Sequence, residues 1–177
     1  ERITIDIDTT YDLASENLEG ARYNTHYGET GFSPMVAFDG DTGIPLRANL
    51  RPGNKYCSQD AELFLELLLQ KLPSSSTLKH GIWCRGDSGF ACPEVYETCE
   101  ERSVTYVIKL KRNEVLADFV DEYAYNHKLK PHLEETQIHY FGVLYQAKSW
   151  SKPRRVVFKV IWAAGELFPT YQAIVTN

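Results

Sequence analysis

The sequence predicts a mixed α/β fold: a three-stranded antiparallel meander, then strands alternating with helices, then a mostly β segment. Three observations carry this. Ile3-Thr4-Ile5-Asp6-Ile7-Asp8 alternates strictly, as a strand with two unlike faces does. Two stretches, around Phe64 and around Phe119, place apolar residues at helical spacing and are separated by short apolar runs. From Gln137 onward the helical period disappears and β-branched and aromatic residues dominate.

Taken in order, the first strand points Ile3, Ile5 and Ile7 to one side and Thr4, Asp6 and Asp8 to the other, so two carboxylates share a face. An acid removed from water must be paired, protonated or bound to a metal. Taken alone, the pattern also fits an edge strand with a solvated polar face. Tyr11 to Ser33 is long and polar, with Gly20, Gly28 and Gly31 among Tyr23, Asn24, His26 and Tyr27, and is expected to be a loop. Pro34 to Asp39 reads as a strand, Gly40-Asp41-Thr42-Gly43 as a turn and Ile44 to Arg51 as the returning strand, with Arg51-Pro52-Gly53-Asn54 ending the hairpin.

Ser58 is positioned to cap a helix with Asp60 in its first turn. Ala61, Phe64, Leu65, Leu68, Leu69 and Leu72 form its apolar face, opposite Glu62, Glu66 and Gln70, and Pro73-Ser74-Ser75-Ser76 ends it. Gly81 to Arg85 is a short apolar strand running into Gly86-Asp87-Ser88-Gly89-Phe90, which sets another acid just past a strand end. Pro93 opens a helix to about Arg102, and Val104 to Leu110 is a β-branched strand. Asn113 caps a third helix through Val115, Leu116, Phe119, Val120 and Tyr123. Four strands are expected after it: Gln137 to Phe141, Val143 to Trp150, Arg154 to Ala163 and Tyr171 to Thr176.

The chain has 177 residues, 43% of them hydrophobic, enough for one sizeable core, with residues 1–128 as the core and 129–177 as a β-rich insertion. A net charge of −5 excludes a generally basic nucleic-acid coat, so any such contact comes from a local patch. No apolar run reaches the roughly 20 residues of a membrane span, and no signal-peptide pattern is seen, so the chain reads as soluble and intracellular. Cys57, Cys84, Cys92 and Cys99 form no C-x-x-C pair and read as reduced structural thiols.

A meander followed by right-handed crossovers puts the fourth strand beside the first and parallel to it, which is the element order of the ribonuclease H-like fold. Strands one, three, four and five then end at one edge, where open α/β sheets bind ligands. That edge collects Asp8, Thr9 and Thr10; Arg51 and Asn54; Asp87 and Ser88; and Lys109, Lys111 and Arg112. Acids close together repel until a hard divalent cation such as Mg²⁺ or Mn²⁺ takes their oxygens. Two ions about 3.5–4 Å apart can drive an in-line phosphoryl displacement. Flanking bases would hold phosphates.

Several segments together resemble bacterial insertion-sequence transposases of the DDE class, of the "DDE domain group 1" type. They are Asp6-Ile7-Asp8-Thr9-Thr10, Tyr23-Asn24-Thr25-His26-Tyr27-Gly28 with Gly31-Phe32-Ser33-Pro34, Leu50-Arg51-Pro52-Gly53-Asn54, Arg85-Gly86-Asp87-Ser88-Gly89-Phe90, Ser149-Trp150 with Arg154-Arg155-Val156-Val157, and Val175-Thr176-Asn177. The resemblance spans nearly the whole chain. It implies a ribonuclease H-like core that uses two Asp, one Glu and two Mg²⁺ or Mn²⁺ ions to cut double-stranded DNA at transposon ends and join it to a target.

By position, Asp8 matches the first catalytic Asp and Asp87 the second, with Asp6 either assisting as a metal ligand or structural. The segment from about Lys130 resembles the β insertion of such enzymes, with Lys148, Arg154, Arg155 and Lys159 as DNA contacts. The Glu is expected beyond Asn177, in a helix of Tyr-x-x-Arg-Gly-x-x-Glu type. Glu134, Glu135 and Glu166 lie in strand or loop contexts and do not match it. The chain is therefore expected to be a fragment with weak metal binding and little strand transfer. The intact enzyme is expected to act as a homo-oligomer on DNA in the bacterial cytoplasm, at the nucleoid. The alternatives are a metal-dependent nuclease of the same fold and a non-catalytic domesticated DNA-binding or assembly domain. A hydrolase built on Ser and His is disfavoured, because Ser88 lacks a G-x-S-x-G setting and nothing places one of the five His residues beside it.

Overall fold

The computed structural model describes residues 2–177, which form two compact units, one running to Val107 and the other Ile108–Asn177. In the first unit the alternation at the start becomes β1 (Ile3–Thr9), with Ile5 and Ile7 buried. A small separate sheet follows, made of β2 (Asp12–Leu13), β3 (Arg22–Asn24) and β4 (Glu29–Phe32) in the order β2-β4-β3. The loop expected over Tyr11 to Ser33 is thus folded. Its strands are too short to show a period, and the β3–β4 turn is set by Asn24, whose Oδ1 accepts the N–H groups of His26 (2.8 Å) and Tyr27 (3.3 Å).

The predicted hairpin is β5 (Met35–Asp39) and β6 (Pro45–Asn49), followed by α1 (Ala61–Leu69), β7 (Ile82–Gly86), α2 (Pro93–Glu101) and β8 (Thr105–Lys109). The main sheet of this unit runs β6-β5-β1-β7-β8, with β1 antiparallel to β5 and parallel to β7. This is the ribonuclease H-like order. α1 buries Phe64, Leu65, Leu68 and Leu69, and α2 buries Val95, Tyr96 and Cys99. The Tyr96 ring stacks on Tyr106 of β8 with centroids 5.3 Å apart. The Arg102 guanidinium grips the Glu66 carboxylate and ties the end of α2 to α1. α1 starts later than the predicted Ser58 cap. Asp60 precedes it in a left-handed conformation (φ 64°) and makes no side-chain cap; its carboxylate instead meets Lys55 at 3.3 Å.

In the second unit α3 (Glu114–Asn126) starts where predicted, with Asn113 Oδ1 accepting the Leu116 N–H at 2.9 Å. The meander has three strands, β9 (Gln137–Tyr145), β10 (Arg154–Trp162) and β11 (Thr170–Thr176), in the order β11-β10-β9. The expected break between Phe141 and Val143 does not occur. Gly142 pairs with Val157 in unbroken register, and β9 is one strand. Beneath the sheet lies an aromatic layer: Phe141 stacks on Tyr123 of α3 (4.2 Å) and on Phe158 of β10 (4.7 Å), while Phe119 meets Tyr145 edge-on at 6.0 Å.

Candidate active site

Parallel pairing of β1 with β7 runs from Ile3↔Ile82 to Ile7↔Gly86, so Asp8 and Asp87 are each the next residue beyond the last pair. Adjacent strands lie about 4.8 Å apart, which brings the two acids side by side at the carboxyl edge of the sheet. The Asp87 backbone is still extended (φ −78°, ψ −175°), so the alternation of β7 carries through to it. Both acids are exposed. Asp8 Oδ1 accepts the Thr9 N–H at 2.7 Å, and Asp87 Oδ1 accepts the Gly89 N–H at 2.7 Å, capping the 3₁₀ turn Ser88–Phe90. Among the described residues, no basic side chain pairs with either carboxylate.

Asp6 differs. It faces Arg85 across the same register, and the guanidinium bonds both carboxylate oxygens, Nε to Oδ1 and Nη2 to Oδ2, each at 2.5 Å. This bond raises the Arg85 pKa above its ordinary value. A Cβ at Gly40 would fall 2.6 Å from Asp6 Oδ2, so glycine there leaves room for the pair. Both oxygens of Asp6, read from the sequence as either a metal ligand or structural, are thus bonded to Arg85. Nor do any three His, Cys, Asp or Glu side chains among the described residues form a ready metal cluster.

Two arginines read as DNA contacts lie inside. Arg51 is 3% exposed, and its guanidinium donates to the carbonyls of Ser33 (2.9 Å), Gln59 (2.8 Å), Tyr56 (3.3 Å) and Cys57 (3.4 Å). Burial lowers its pKa from the ordinary guanidinium value. Arg154, also 3% exposed, has its Cζ 5.6 Å from the Trp150 ring centroid. Neither presents its charge to solvent.

The other residues read as DNA contacts are not buried. Asn54 in the first unit is exposed, as are Lys109, Lys111, Arg112, Lys148 and Arg155 in the second; Lys159 is half-buried. Arg155 and Lys159 share the face of β10 opposite the aromatic layer. Arg112 is held against Tyr171, donating to its carbonyl at 3.0 Å with Cζ 5.4 Å from the ring centroid.

Sequence reasoning missed two neighbours. Arg85 could have been found by counting both strands in parallel register, since it stands opposite Asp6. Cys57 had no signal: Thr9 Oγ1 donates to its Sγ at 3.4 Å across 48 residues of chain.

No helix among the described residues is long and apolar enough to cross a membrane. No curated protein matches the chain. Among solved structures, it is similar to the piggyBac transposase in a synaptic complex with hairpin DNA, with 12% identity and a TM-score of 0.56 over 97% of this chain and 33% of that one. The chain thus spans a third of that protein, and the likeness is one of fold. An endonuclease V from Ciona intestinalis, solved with a 24mer DNA containing an inosine, aligns over 98% of this chain and 69% of that one at 12% identity, with a TM-score of 0.33. The family model described as transposase DDE domain group 1 matches residues 1–177. The chain, matched end to end by that model on a ribonuclease H-like sheet, belongs to the transposase DDE domain group 1 family.

Proposed function

We propose that this chain is catalytic-core sequence of an insertion-sequence transposase and that Asp8 and Asp87 hold its divalent metal. In this reading residues 1–128 belong to the core and 129–177 to a β-rich insertion. The observation that carries the reading is the Ile7↔Gly86 register, which sets two acids side by side at one sheet edge, without basic partners among the described residues.

The donor set suits Mg²⁺ or Mn²⁺, which bind through one or two carboxylates, waters and substrate phosphates. A bound metal pair would activate the attacking oxygen and stabilise the leaving one in DNA cleavage and strand transfer. The chain's own groups provide the rest. Backbone N–H groups of Thr9 and Gly89 fix one oxygen of each acid and leave the other for a ligand. The Asp6–Arg85 pair locks the two strands in register one pleat before the acids. Exposed Asn54, Lys109, Lys111, Arg112, Lys148 and Arg155, with Lys159, supply contacts to the phosphates of double-stranded DNA. Arg51 and Arg154 are left out of that set because they are buried. The remaining metal ligands come from DNA phosphate or from an acid outside this pair. The working form is a homo-oligomer holding both transposon ends in the bacterial nucleoid.

The test is a Mn²⁺ titration by calorimetry beside Asp8→Ala and Asp87→Ala, with folding checked by circular dichroism. Saturable binding in the parent that both folded variants lose is expected. Binding that survives either substitution would sink the assignment.

A further inference from the structure

Arg51 sits just past β6 in a socket made of backbone carbonyls. Its Nε and Nη1 reach Ser33 on one side and Tyr56, Cys57 and Gln59 on the other, and its Nη2 lies 3.5 Å from Ser33 Oγ. Its own carbonyl accepts the Ser33 N–H at 2.8 Å. Removing a guanidinium from water is costly, and among the described residues no carboxylate is bonded to it. What the charge does instead is gather several carbonyls from a turn that has no helix or strand of its own. The planar fork is suited to this, since its donors point in fixed directions.

The gathered turn carries Cys57, whose thiol reaches both acid-bearing strand ends. Thr9, the neighbour of Asp8, donates its hydroxyl to Cys57 Sγ at 3.4 Å. On the other side lies Gly89, whose N–H holds Asp87 Oδ1. A Cβ built on Gly89 would fall 2.9 Å from Cys57 Cβ, 3.3 Å from Sγ and 2.9 Å from Asp87 Oδ1. Glycine at this position is what lets the cysteine lie flat against the turn capped by Asp87. One side chain therefore touches the segment after each acid, and the carbonyl of that same residue is bonded to Arg51.

We infer that Arg51 is a positioning residue of the active site: it clamps the Tyr56–Gln59 turn so that Cys57 is wedged between Thr9 and Gly89 and fixes the spacing of Asp8 and Asp87. The inference rests on the reading of those two acids as the metal pair. It also gives the Leu50-Arg51-Pro52-Gly53-Asn54 stretch an inward role in place of the phosphate contact that its charge suggests.

The experiment compares the parent with Arg51→Ala and Arg51→Lys in two ways. Alkylation of each cysteine by iodoacetamide is followed by peptide mass spectrometry, and Mn²⁺ affinity is measured by calorimetry. Cys84 and Cys99, both 0% exposed, report whether the fold is intact. Expected in Arg51→Ala is Cys57 labelling about tenfold faster, as the turn opens locally while Cys84 and Cys99 stay protected. Mn²⁺ affinity falls about tenfold, the usual scale for loss of a group that orients metal ligands. Arg51→Lys changes both in the same direction, because an ammonium cannot reproduce the fork.

Unchanged Cys57 labelling, or unchanged Mn²⁺ affinity with Cys57 loosened, overturns the inference. If labelling of Cys84 and Cys99 shows that the arginine variants unfold, Thr9→Val decides. It removes the hydroxyl bonded to Cys57 Sγ while leaving the backbone N–H on Asp8 and the Asp87 turn intact, and must give the same faster labelling and weaker Mn²⁺ binding; parent-like values overturn the wedge. A parent that binds no Mn²⁺ at all defeats the acid-pair reading, and the Cys57 labelling then judges the clamp by itself.

Discussion

Toward the carboxyl edge of β1 and β7, the polar contacts are bonds between named atoms: Thr9 to Cys57, Gly89 to Asp87, Arg51 to its carbonyls, Arg85 to Asp6. Beneath β10, by contrast, Phe119, Tyr123, Phe141 and Phe158 meet through faces and edges of rings. The first kind of contact is directional and fails when a donor moves by a fraction of an ångström. The second is summed over area and tolerates small shifts but not missing volume. The difference separates what must be placed accurately to act on a ligand from what must only be filled to hold the chain together.

Substitutions sharpen this contrast. Phe158→Ala, at a ring that is fully buried and touches Phe119, Phe141 and Tyr171, is expected to cost about 3–5 kcal/mol in denaturant unfolding. A loss below about 1 kcal/mol would mean that the aromatic layer is not the core of that unit. Removing one directional contact is expected to do less: Asn113→Ala should lower stability by about 1 kcal/mol through loss of the cap on Leu116, again read by denaturant unfolding.

At the edge, Asp6→Asn should change stability by less than about 1 kcal/mol, because the pair with Arg85 is half in water. It should leave Mn²⁺ binding in place, whereas Asp8→Ala abolishes it; equal losses from both would return Asp6 to the metal site. The smallest effect expected is acid sensitivity. The Arg102 bond holds the Glu66 carboxyl below its ordinary value of 4.5, so its folded pKa is the lower one. The stability it contributes is fully present above 4.5 and is lost as pH falls below that value toward the folded pKa. Asp39, lowered by its Thr42 hydrogen bond, and Asp41, lowered by Arg2, act in the same direction. Melting temperatures followed downward from about pH 6 should decline less in Glu66→Gln than in the parent.

Much of the fold could be read from the chain because its long elements have strong periods. β1 alternates, α1 and α3 keep helical spacing, and Asn113 announces its helix. The strands of the small sheet hold two to four residues, fewer than a period needs, and so stayed hidden. The strand break expected between Phe141 and Val143 does not form, because Gly142 keeps its pairing with Val157 on β10. The adjacency of Asp8 and Asp87 follows from one alternating strand and one parallel crossover, both visible in sequence. The burial of Arg154 was visible too, since it shares a face with Val156, Phe158, Val160 and Trp162, although its charge argued the other way. Arg51 could not have been placed, because its socket is assembled from Ser33 and the Tyr56–Gln59 turn, and no local pattern records that meeting.

The direction of β1 also fixes where a probe can be attached. Arg2 is pinned to Asp41 at the start of the strand (2.9 Å), and Asp8 stands near its end. At about 3.3 Å per residue, a fluorophore or affinity handle placed on the side chain at position 2 begins roughly 20 Å from Asp8. Such a reporter leaves the edge that carries Asp8 and Asp87 unobstructed and gives distance measurements across that unit a defined origin.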